Sequence, residues 1–268
     1  SAFSGCTGLT NVTIPDSVTS IGDSAFSGCT GLTNVTIPDS VTRIGDRAFE
    51  WCFSLARVTI GNGVTSIGSR AFFGCPLGNE VIFNTSRTML VWVPRGTVGS
   101  YIIPDTVTAI GGSAFPGCTR LTSVTIPDSV TRIGDSAFSG CTGLTNVTIP
   151  DSVTRIAGSA FSWCTNLTSL SLGNSVSSIG SGAFWGCAGL RSVTIPDGVT
   201  NIGRSAFGGC VSLRAAYFAG DVPSVVDWEG KPTSDTVFEA PAAVRYLPGT
   251  QGWTPTFAGL PTSPWHRP

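Results

Sequence analysis

The sequence predicts a repeat solenoid, a rod of stacked coils, and two observations support this fold class. The first is the interval between cysteines, which is 23 residues throughout except for one interval of 43. The second is the sequence between the cysteines, which repeats the frame L-x-x-V-x-I-P-x-x-V-x-x-I-G-x-x-A-F-x-x-C-x-x. A constant period of this size is typical of solenoids and repeat arrays. The nine cysteines stand at positions 6, 29, 52, 75, 118, 141, 164, 187 and 210.

The first part of each unit predicts a short β-strand. In the unit that begins at Leu32, apolar and polar residues alternate up to Ile37, and the last apolar residues are β-branched. This alternation is typical of a strand with one buried face. Pro38 ends the strand, because proline lacks the N–H that a strand ladder requires.

The rest of the unit predicts an extended segment, a bend and one short helical turn. Val41 and Ile44 place a second apolar ridge against the core, and Gly45 allows a sharp bend. The apolar residues that follow are spaced i, i+1 and i+4, which suits one short helical or 3₁₀ turn. Cysteines and phenylalanines of this turn are expected to form the repeat core, among them Cys29, Phe49, Cys52, Phe138, Cys141, Phe161 and Cys164.

Equivalent residues of successive units are expected to stack into columns. A single coil buries too few apolar side chains to offset the entropy of ordering its 23 residues, so neighbouring coils must cover its two open faces. Strands of neighbouring coils then lie about 4.8 Å apart and pair in parallel.

The repeat frame resembles that of the Treponema/BspA-type leucine-rich-repeat surface protein family, over roughly residues 1 to 218. The resemblance implies a curved leucine-rich-repeat solenoid with a parallel β-sheet on the concave side and with short helical turns and extended segments on the convex side. It also implies a bacterial protein that is secreted or displayed at the cell surface and that takes part in adhesion.

Two parts of the chain depart from the frame. Near residues 76–104, one irregular unit carries two apolar runs around a polar turn, which indicates a hairpin. Residues 219–268 contain eight prolines and no longer follow the frame. We expect residues 1–218 to form the solenoid and residues 219–268 to form a proline-rich C-terminal cap, because the last coil of a solenoid needs a cover. The expected apolar anchors of this cap are Trp228, Trp253 and Trp265.

Composition argues against several functional classes. Charged residues make up only 12% of the chain and the net charge is −1, which argues against a nucleic-acid-binding protein. No apolar run reaches the ~18 residues of a membrane-spanning helix, so we expect no membrane insertion. His266 is the only histidine, which argues against multi-histidine zinc sites and against Ser-His-Asp or Cys-His catalysis. We therefore expect no enzyme, no cofactor and no metal site.

The cysteine column leaves two interpretations open. Stacked cysteines of neighbouring coils would lie near disulfide distance. However, nine is an odd number, the C-x₂-C spacing of zinc sites is absent, and the position is apolar in the frame. The favoured interpretation is a column of buried free thiols, which behave as small apolar side chains.

The candidate site is the column between the valine and the isoleucine of each strand, which points away from the core and is expected on the concave face. Threonine dominates this column, and the hypothesis is that glycans or an extended peptide bind there. Exposed aromatic residues on a polar surface are typical binding hot spots. The predicted ligand-binding residues are Thr36, Arg57, Thr59, Trp92, Ile102, Thr125, Thr148 and Tyr217. Two alternatives stay open, an ordinary strand surface, for which threonine is well suited, and an inward-pointing Trp92.

Other columns have simpler interpretations. Aspartates that follow the strand-ending prolines could bind calcium, but aspartate is common in turns, where it accepts backbone hydrogen bonds. An arginine column is expected to pair with acids such as Asp46 and Asp135, and its members are Arg43, Arg132 and Arg155. Tryptophans on the side of the short turn are expected to be partly buried between coils, and they are Trp51, Trp163 and Trp185.

The sequence favours a non-enzymatic binding or adhesion module that recognises a glycan or a protein through its concave sheet. The polar column and the near-absence of catalytic residue types support this function. The alternative is a structural stalk or a filament subunit that associates end to end with itself. Residues 1–6 match the back half of a unit, so we expect the chain to begin inside a longer protein. A catalytic domain elsewhere in that protein is the remaining route to an enzyme.

Overall fold

The computed structural model describes residues 1–233, 236–239 and 243–265, which form 22 β-strands and no helix. Within these ranges, no helix has the length and apolarity that a membrane crossing requires. The strands, in chain order, are β1 (Ser20–Ile21), β2 (Asn34–Ile37), β3 (Arg43–Ile44), β4 (Arg57–Ile60), β5 (Ser66–Ile67), β6 (Ile82–Phe83), β7 (Met89–Trp92), β8 (Gly99–Ile102), β9 (Ala109–Ile110), β10 (Leu121–Thr125), β11 (Arg132–Ile133), β12 (Asn146–Thr148), β13 (Arg155–Ile156), β14 (Ser169–Ser171), β15 (Ser178–Ile179), β16 (Ser192–Ile195), β17 (Asn201–Gly203), β18 (Ala215–Phe218), β19 (Ser224–Val226), β20 (Ala243–Tyr246), β21 (Thr256–Phe257) and β22 (Leu260–Pro264).

The strands form two parallel rows along the solenoid. The even-numbered strands from β2 to β18, apart from β6, carry the Val-x-Ile part of the frame or its equivalent. Together with β20 and β22, which extend the same row, we call them the Val-Ile row. The odd-numbered strands from β1 to β19 follow in the second half of each coil, and we call them the Ile-Gly row. Both rows pair equivalent residues of successive coils, as Val35 pairs with Val58 and Arg43 with Ser66. The predicted parallel solenoid is confirmed.

The segment after the Ile-Gly row forms turns that include 3₁₀-type bonds, such as Ser27 N to Ser24 O at 3.2 Å, but no helix forms there. Phe26 N donates to Ala48 O of the next coil at 2.7 Å, and Phe49 N donates to Ala71 O at 2.8 Å. These N–H groups are therefore bonded between coils rather than along a helix. In addition, the second residue after the frame glycine has a positive φ, such as 56° at Ser136, which a right-handed helix excludes.

Columns of like residues fill the core. Phe26, Phe49 and Phe72 stack in parallel, with successive ring centroids 5.1 and 5.4 Å apart. Most buried cysteines donate their thiol to the phenylalanine carbonyl of the preceding coil, as Cys52 does to Phe26 O at 3.2 Å. The thiols thus fill the space beside the ring column while keeping a hydrogen bond. All seven residues expected in the repeat core are buried, namely Cys29, Phe49, Cys52, Phe138, Cys141, Phe161 and Cys164.

The irregular unit contributes a hairpin whose second strand joins the Ile-Gly row. β6 and β7 pair antiparallel, and β7 pairs in parallel with β9 through Met89 and Ala109. The side chain of Trp92 in β7 is only 5% exposed, and its indole N–H has no hydrogen-bond partner among the described residues. The prediction that Trp92 stands in the exposed column of the Val-Ile row is wrong, because β7 belongs to the other row and packs inward.

The solenoid bends sharply at this short unit. Gly112 N donates to Ile67 O at 3.1 Å, so the coil before the irregular unit directly contacts the coil after it. Ser69 Oγ and Ser136 Oγ are only 3.0 Å apart, although the coil that contains Gly112 lies between them. A straight stack would place these two positions about 10 Å apart. The side that carries the turns is therefore the recessed side of the bend.

A parallel sheet does line the recessed side, but it belongs to the Ile-Gly row. This row forms two sheets, a three-stranded one of β1, β3 and β5 and one that runs from β19 to β7 and ends with β6 of the hairpin, whereas the Val-Ile row is divided into four separate sheets. The division is expected on the outer side of a bend, where neighbouring strands lie further apart. The assignment of the Val-Ile row to the concave face is therefore wrong.

The Val-Ile row continues beyond residue 218. β18 pairs with β20 and β20 with β22, in parallel throughout. Trp253 stacks on Tyr246 at a centroid distance of 5.1 Å, and Trp265 contacts Tyr217 at 4.8 Å. Trp228 is 74% exposed, so its expected role as an apolar anchor is wrong. The boundary between solenoid and cap stays a prediction, and His266 lies outside the described residues.

Candidate functional site

A groove on the recessed side is the candidate binding site, and we call it the inner groove. Its volume is about 670 Å³, and it runs along the turns that follow the Ile-Gly row. Its walls carry the aromatic residues Phe73, Trp163 and Trp185 and the arginines Arg70, Arg95 and Arg204. Eight serines complete them, at positions 69, 113, 136, 139, 159, 162, 181 and 205.

A left-handed backbone position places one groove residue in each regular coil. The second residue after the frame glycine has a φ of 57° at Arg70, 56° at Ser136 and 53° at Ser159, and Gly182 takes the same position. This conformation costs a non-glycine residue about 1–2 kcal/mol. Hydrogen bonds between coils hold it in place, such as the one from Ser136 N to Gly158 O at 2.9 Å. The repeat therefore places one residue of this column at the groove in successive coils, and in four of them it is serine, at positions 113, 136, 159 and 205.

The serine hydroxyls fall into two groups. Some bond to each other, as Ser139 Oγ and Ser162 Oγ do at 2.8 Å. Others, at Ser159, Ser181 and Ser205, have no side-chain hydrogen bond to any described residue. A free hydroxyl can both donate and accept a hydrogen bond. This part of the groove is therefore equipped to bind a ligand that carries hydroxyl or carbonyl groups.

Trp163 presents one face of its indole to the groove. The opposite face lies over Gly186 of the next coil, where a Cβ would stand 2.9 Å from the ring. The edge of the ring meets Trp185 at a centroid distance of 4.4 Å and an angle of 87°. Trp163 is 50% exposed, so it is fixed from behind and open in front, which is the arrangement of a binding platform.

The arginines at the other end of the groove share one aromatic ring. The guanidinium carbons of Arg70 and Arg95 lie 5.3 and 5.1 Å from the centroid of Phe73. Arg70 also lies 4.0 Å from the Glu50 carboxylate, which is the outer limit of an ion pair, whereas Arg95 has no ion pair with a described residue. No aspartate or glutamate stands among the described residues that line the groove. The described lining of the inner groove therefore carries basic side chains and no acidic one, in a chain whose net charge is −1.

A second recess of about 650 Å³ shares several serines with the inner groove and carries charges of both signs. Desolvation in this recess raises the pKa of the Asp135 carboxyl, and the nearby Asp46 carboxylate raises it further. The Gly158 N–H, which donates to Asp135 Oδ1 at 2.9 Å, and Arg155 oppose this shift in the pKa of Asp135. The balance disfavours the ionised form of Asp135, and partial desolvation of this exposed carboxyl is the largest cause.

The aspartates of this side bond to the backbone of the next coil, and one of them also pairs with an arginine of the predicted column. Arg43 pairs with a nearby acid as expected, but that acid is Asp23, whose Oδ1 lies 3.6 Å from Arg43 Nη2, and not Asp46. Asp46 instead accepts a hydrogen bond from Ser69 N at 2.9 Å. At the proline corner, Asp39 accepts the N–H of the residue one repeat later at 2.7 Å. An aspartate column of this kind caps the next coil, and that role explains its repetition.

The site residues predicted from the sequence, apart from Trp92, lie on the outer side of the bend. Ile102 is 72% exposed and pairs with Thr125, and Tyr217 is half-buried against Trp265. The other members are exposed along the same row, namely Thr36, Arg57, Thr59 and Thr148. They form an even surface without the depth of the inner groove, and their binding of a ligand stays a prediction.

The inner-groove residues are those that the sequence did not single out as a site. Their sequence signal is a column of serine and arginine directly after the frame glycine, together with Trp163 and Trp185. The frame does not reveal which side of a coil is recessed, because the bend depends on contacts between Ser69 and Ser136, which are far apart in the chain.

The cysteines contribute packing rather than chemistry. All nine are free, and every one except Cys6 is buried. Burial raises the pKa of the Cys164 thiol to about 12, which keeps it protonated at neutral pH. Among the described residues, no group of three or more His, Cys, Asp or Glu side chains is arranged to hold a metal ion.

Comparison with known proteins agrees with the repeat frame. The family described as BspA type Leucine rich repeat region matches residues 1–90 and 97–214, with six copies. A leucine-rich-repeat protein from Eubacterium ventriosum has a similar solved structure, with 21% identity, a TM-score of 0.55 and coverage of 93% of this chain and 82% of that chain.

Two further solved structures share 28% identity with this chain. The match to a leucine-rich-repeat protein from Bacteroides ovatus covers 91% of this chain and 74% of that chain, with a TM-score of 0.43. The match to the leucine-rich-repeat protein of T. pallidum covers 73% of this chain and 72% of that chain, with a TM-score of 0.37. Among curated proteins, no significant match was found. Because the family's repeat covers most of the chain and the coils stack as its frame requires, this protein belongs to the Treponema/BspA-type leucine-rich-repeat family.

Proposed function

We propose that this chain is a non-enzymatic binding module of a secreted or cell-surface bacterial protein, and that it holds a polymeric ligand in the inner groove. The observation that carries the proposal is Trp163, an indole that is fixed from behind by Gly186 and open to the groove in front. Membership of the BspA-type repeat family supports a surface role.

The groove has the composition of a recognition site. Its volume of about 670 Å³ lies within the range of ligand sites in proteins. Aromatic residues and arginines are the side chains that most often dominate binding energy. Serine hydroxyls at Ser159 and Ser181 add hydrogen-bonding capacity without a described competing partner. An elongated groove of this kind suits a chain-like ligand that contacts several coils at once.

The groove lacks the arrangement that hydrolytic catalysis requires. Its paired serines bond to each other, as Ser69 Oγ does to Ser136 Oγ at 3.0 Å, and not to a basic side chain. A serine nucleophile needs an adjacent base to remove its proton. The described residues that line the groove include no histidine, aspartate, glutamate or lysine. This composition supports binding without chemistry on the ligand.

The test is a binding screen of this chain against an array of glycans and matrix proteins. Trp163→Ala should lose binding of any ligand that the parent chain retains, because the platform is removed. Phe53→Ala removes an equally exposed aromatic ring outside the groove and should bind as the parent chain does. Far-ultraviolet circular dichroism and thermal unfolding of each variant would show that folding is unchanged.

Two outcomes would oppose the proposal. If Ile102→Thr abolishes binding and Trp163→Ala does not, the ligand binds the Val-Ile row instead. If the parent chain binds no ligand and forms concentration-dependent oligomers, the structural alternative of end-to-end association replaces the binding module.

A further inference from the structure

We infer that the occupant of the inner groove is an acidic polysaccharide, a sugar chain that carries carboxylate or sulfate groups. The inference rests on the proposed binding function and adds the chemical class of the ligand. It starts from the unequal distribution of charge between the inner groove and the recess beside it.

The inner groove and the recess beside it differ in the charges that line them. Its described lining residues include three arginines and no acid, whereas the neighbouring recess carries Asp46, Asp135, Asp227 and Glu229 as well as arginines. The whole chain has 15 basic and 16 acidic residues, so composition does not explain why the described lining of the groove holds arginines and no acid. A recessed surface with one sign of charge attracts ligands of the opposite sign, because field lines concentrate there.

The two arginines at Phe73 are arranged for anions of planar or tetrahedral shape. Their guanidinium carbons lie 5.3 and 5.1 Å from the ring centroid, one from Arg70 and one from Arg95. Contact with the ring restrains each guanidinium and leaves its N–H donors available at the edge. Guanidinium groups bind carboxylate, sulfate-like and phosphate-like oxygens through paired hydrogen bonds. Arg95 has no described ion-pair partner that an incoming anion would need to displace.

The remaining groove surface favours a sugar over an acidic peptide. One common way to bind an extended peptide is to add it as a strand to a free sheet edge. The Ile-Gly row offers no such edge along the groove, since its strands pair with a neighbour on each side from β9 to β17. Side-chain hydroxyls at Ser159, Ser181 and Ser205 instead match the hydroxyl groups of a sugar, and the open face of Trp163 can cover the apolar face of a pyranose ring.

The experiment compares four polymers of matched length by isothermal titration calorimetry. Polygalacturonate supplies carboxylates, dextran sulfate supplies sulfates, dextran is the neutral sugar, and poly-glutamate is the acidic peptide. At least one acidic polysaccharide should bind more tightly than dextran and poly-glutamate do, and its affinity should fall as salt rises. The two acidic arms distinguish carboxylate from sulfate recognition.

Arg95→Gln is the decisive variant, and Arg120→Gln is its matched control. Both remove one positive charge, but Arg120 is exposed and is not among the residues that line the groove. Affinity for the acidic polysaccharide should fall about tenfold or more in Arg95→Gln, the usual effect of losing a charge-assisted hydrogen bond, and should stay unchanged in Arg120→Gln.

Three results would overturn the inference. They are tight binding of dextran, equal binding of poly-glutamate, and an equal effect of the two arginine variants. Failure of all four polymers would also overturn it. In each case the glycan and matrix-protein array, which compares the parent chain with Trp163→Ala, shows whether the groove binds another ligand. The inference can therefore fail while the proposed function stands.

Discussion

The indole of Trp163 lies against the backbone of Gly186, its counterpart one repeat later, so closely that a Cβ on Gly186 would stand 2.9 Å from ring atom Cε3. Trp51 and Gly74 repeat this relationship, with a corresponding distance of 2.4 Å. In both cases glycine is the residue that lets the ring lie flat on the next coil. The position of the Trp163 indole in the inner groove therefore depends on Gly186, which lies behind the ring and not on the face that is open to a ligand.

Gly186→Ala should lower the free energy of unfolding by about 1–3 kcal/mol and tilt Trp163 away from the coil, because the added methyl group occupies the ring's place. Urea unfolding and tryptophan fluorescence would measure the two effects. Gly117→Ala is the matched control, since Gly117 has the same frame position and a φ of 64° but nothing within 4 Å of its Cβ. Equal losses of stability in the two variants would contradict the proposed contact.

Gly112→Ala should open the bend of the solenoid. A Cβ at Gly112 would lie 2.3 Å from Ile67 O, so the two coils that meet there must separate. We expect a loss of about 2–3 kcal/mol in unfolding free energy and a larger radius of gyration in small-angle X-ray scattering. Gly158 has the same frame position, but a Cβ there would lie 3.2 Å from the flexible carboxylate of Asp135. Gly158→Ala should therefore lose less than half as much unfolding free energy. Unchanged scattering of Gly112→Ala would show that this contact does not set the bend.

Ser159→Gly should stabilise the chain by up to about 1 kcal/mol, because glycine relieves the left-handed backbone strain at this position. The chain itself contains the precedent, since Gly182 takes the same position one coil later. Ser181 is the residue before Gly182 and has no positive φ, so Ser181→Gly serves as the control. It should destabilise the chain slightly, because glycine raises the entropy of the unfolded state. Thermal unfolding monitored by circular dichroism would compare the two variants, and the same sign of change in both would contradict the argument.

Thiol reactivity should separate Cys6 from the other eight cysteines. Cys6 is exposed, whereas the rest are buried, and burial raises the pKa of the Cys164 thiol to about 12. Only thiolates react quickly with disulfide reagents. In Ellman's assay at pH 8, one thiol per folded chain should react fast, and all nine should react in guanidinium chloride. Cys6→Ser should remove the fast phase, and fast reaction of further thiols would indicate that the column is open to solvent.

Asp135→Asn should raise stability at pH 7 by less than about 1 kcal/mol, since the carboxyl is partly solvated. Desolvation and the Asp46 carboxylate raise the pKa of folded Asp135 above its ordinary value of 3.8, so ionisation of Asp135 opposes folding at neutral pH. Protonation removes this cost as the pH falls through the raised pKa. The advantage of the variant should therefore shrink on acidification and vanish below about pH 4.

Asp23→Asn is the control for this effect, because Asp23 has the same frame position but lies 3.6 Å from Arg43. It should be neutral or slightly destabilising at pH 7. Urea titrations between pH 3 and pH 8 would measure both variants, and a gain for Asp135→Asn that does not change with pH would contradict the electrostatic explanation.

The 23-residue frame by itself determined the coils, their parallel pairing and the identity of the core. This was predictable because each column repeats one residue type, so the environment of Phe49 also describes that of Phe138 and Phe161. Even the hairpin of the irregular unit followed from its two apolar runs. The helical turn was the exception, because its spacing suits a helix equally well and only the bonds between coils decide against one.

Only the tertiary structure decided which side of the solenoid can receive a ligand. The frame describes contacts one repeat apart, whereas the bend depends on Gly112 meeting Ile67 and on Ser69 meeting Ser136 across the shortened unit. That same shortening moves Trp92 from the outer row into the core. Columns that look equivalent in the sequence thus end on opposite sides of a curved body, because curvature arises from coil-to-coil packing and not from any single unit.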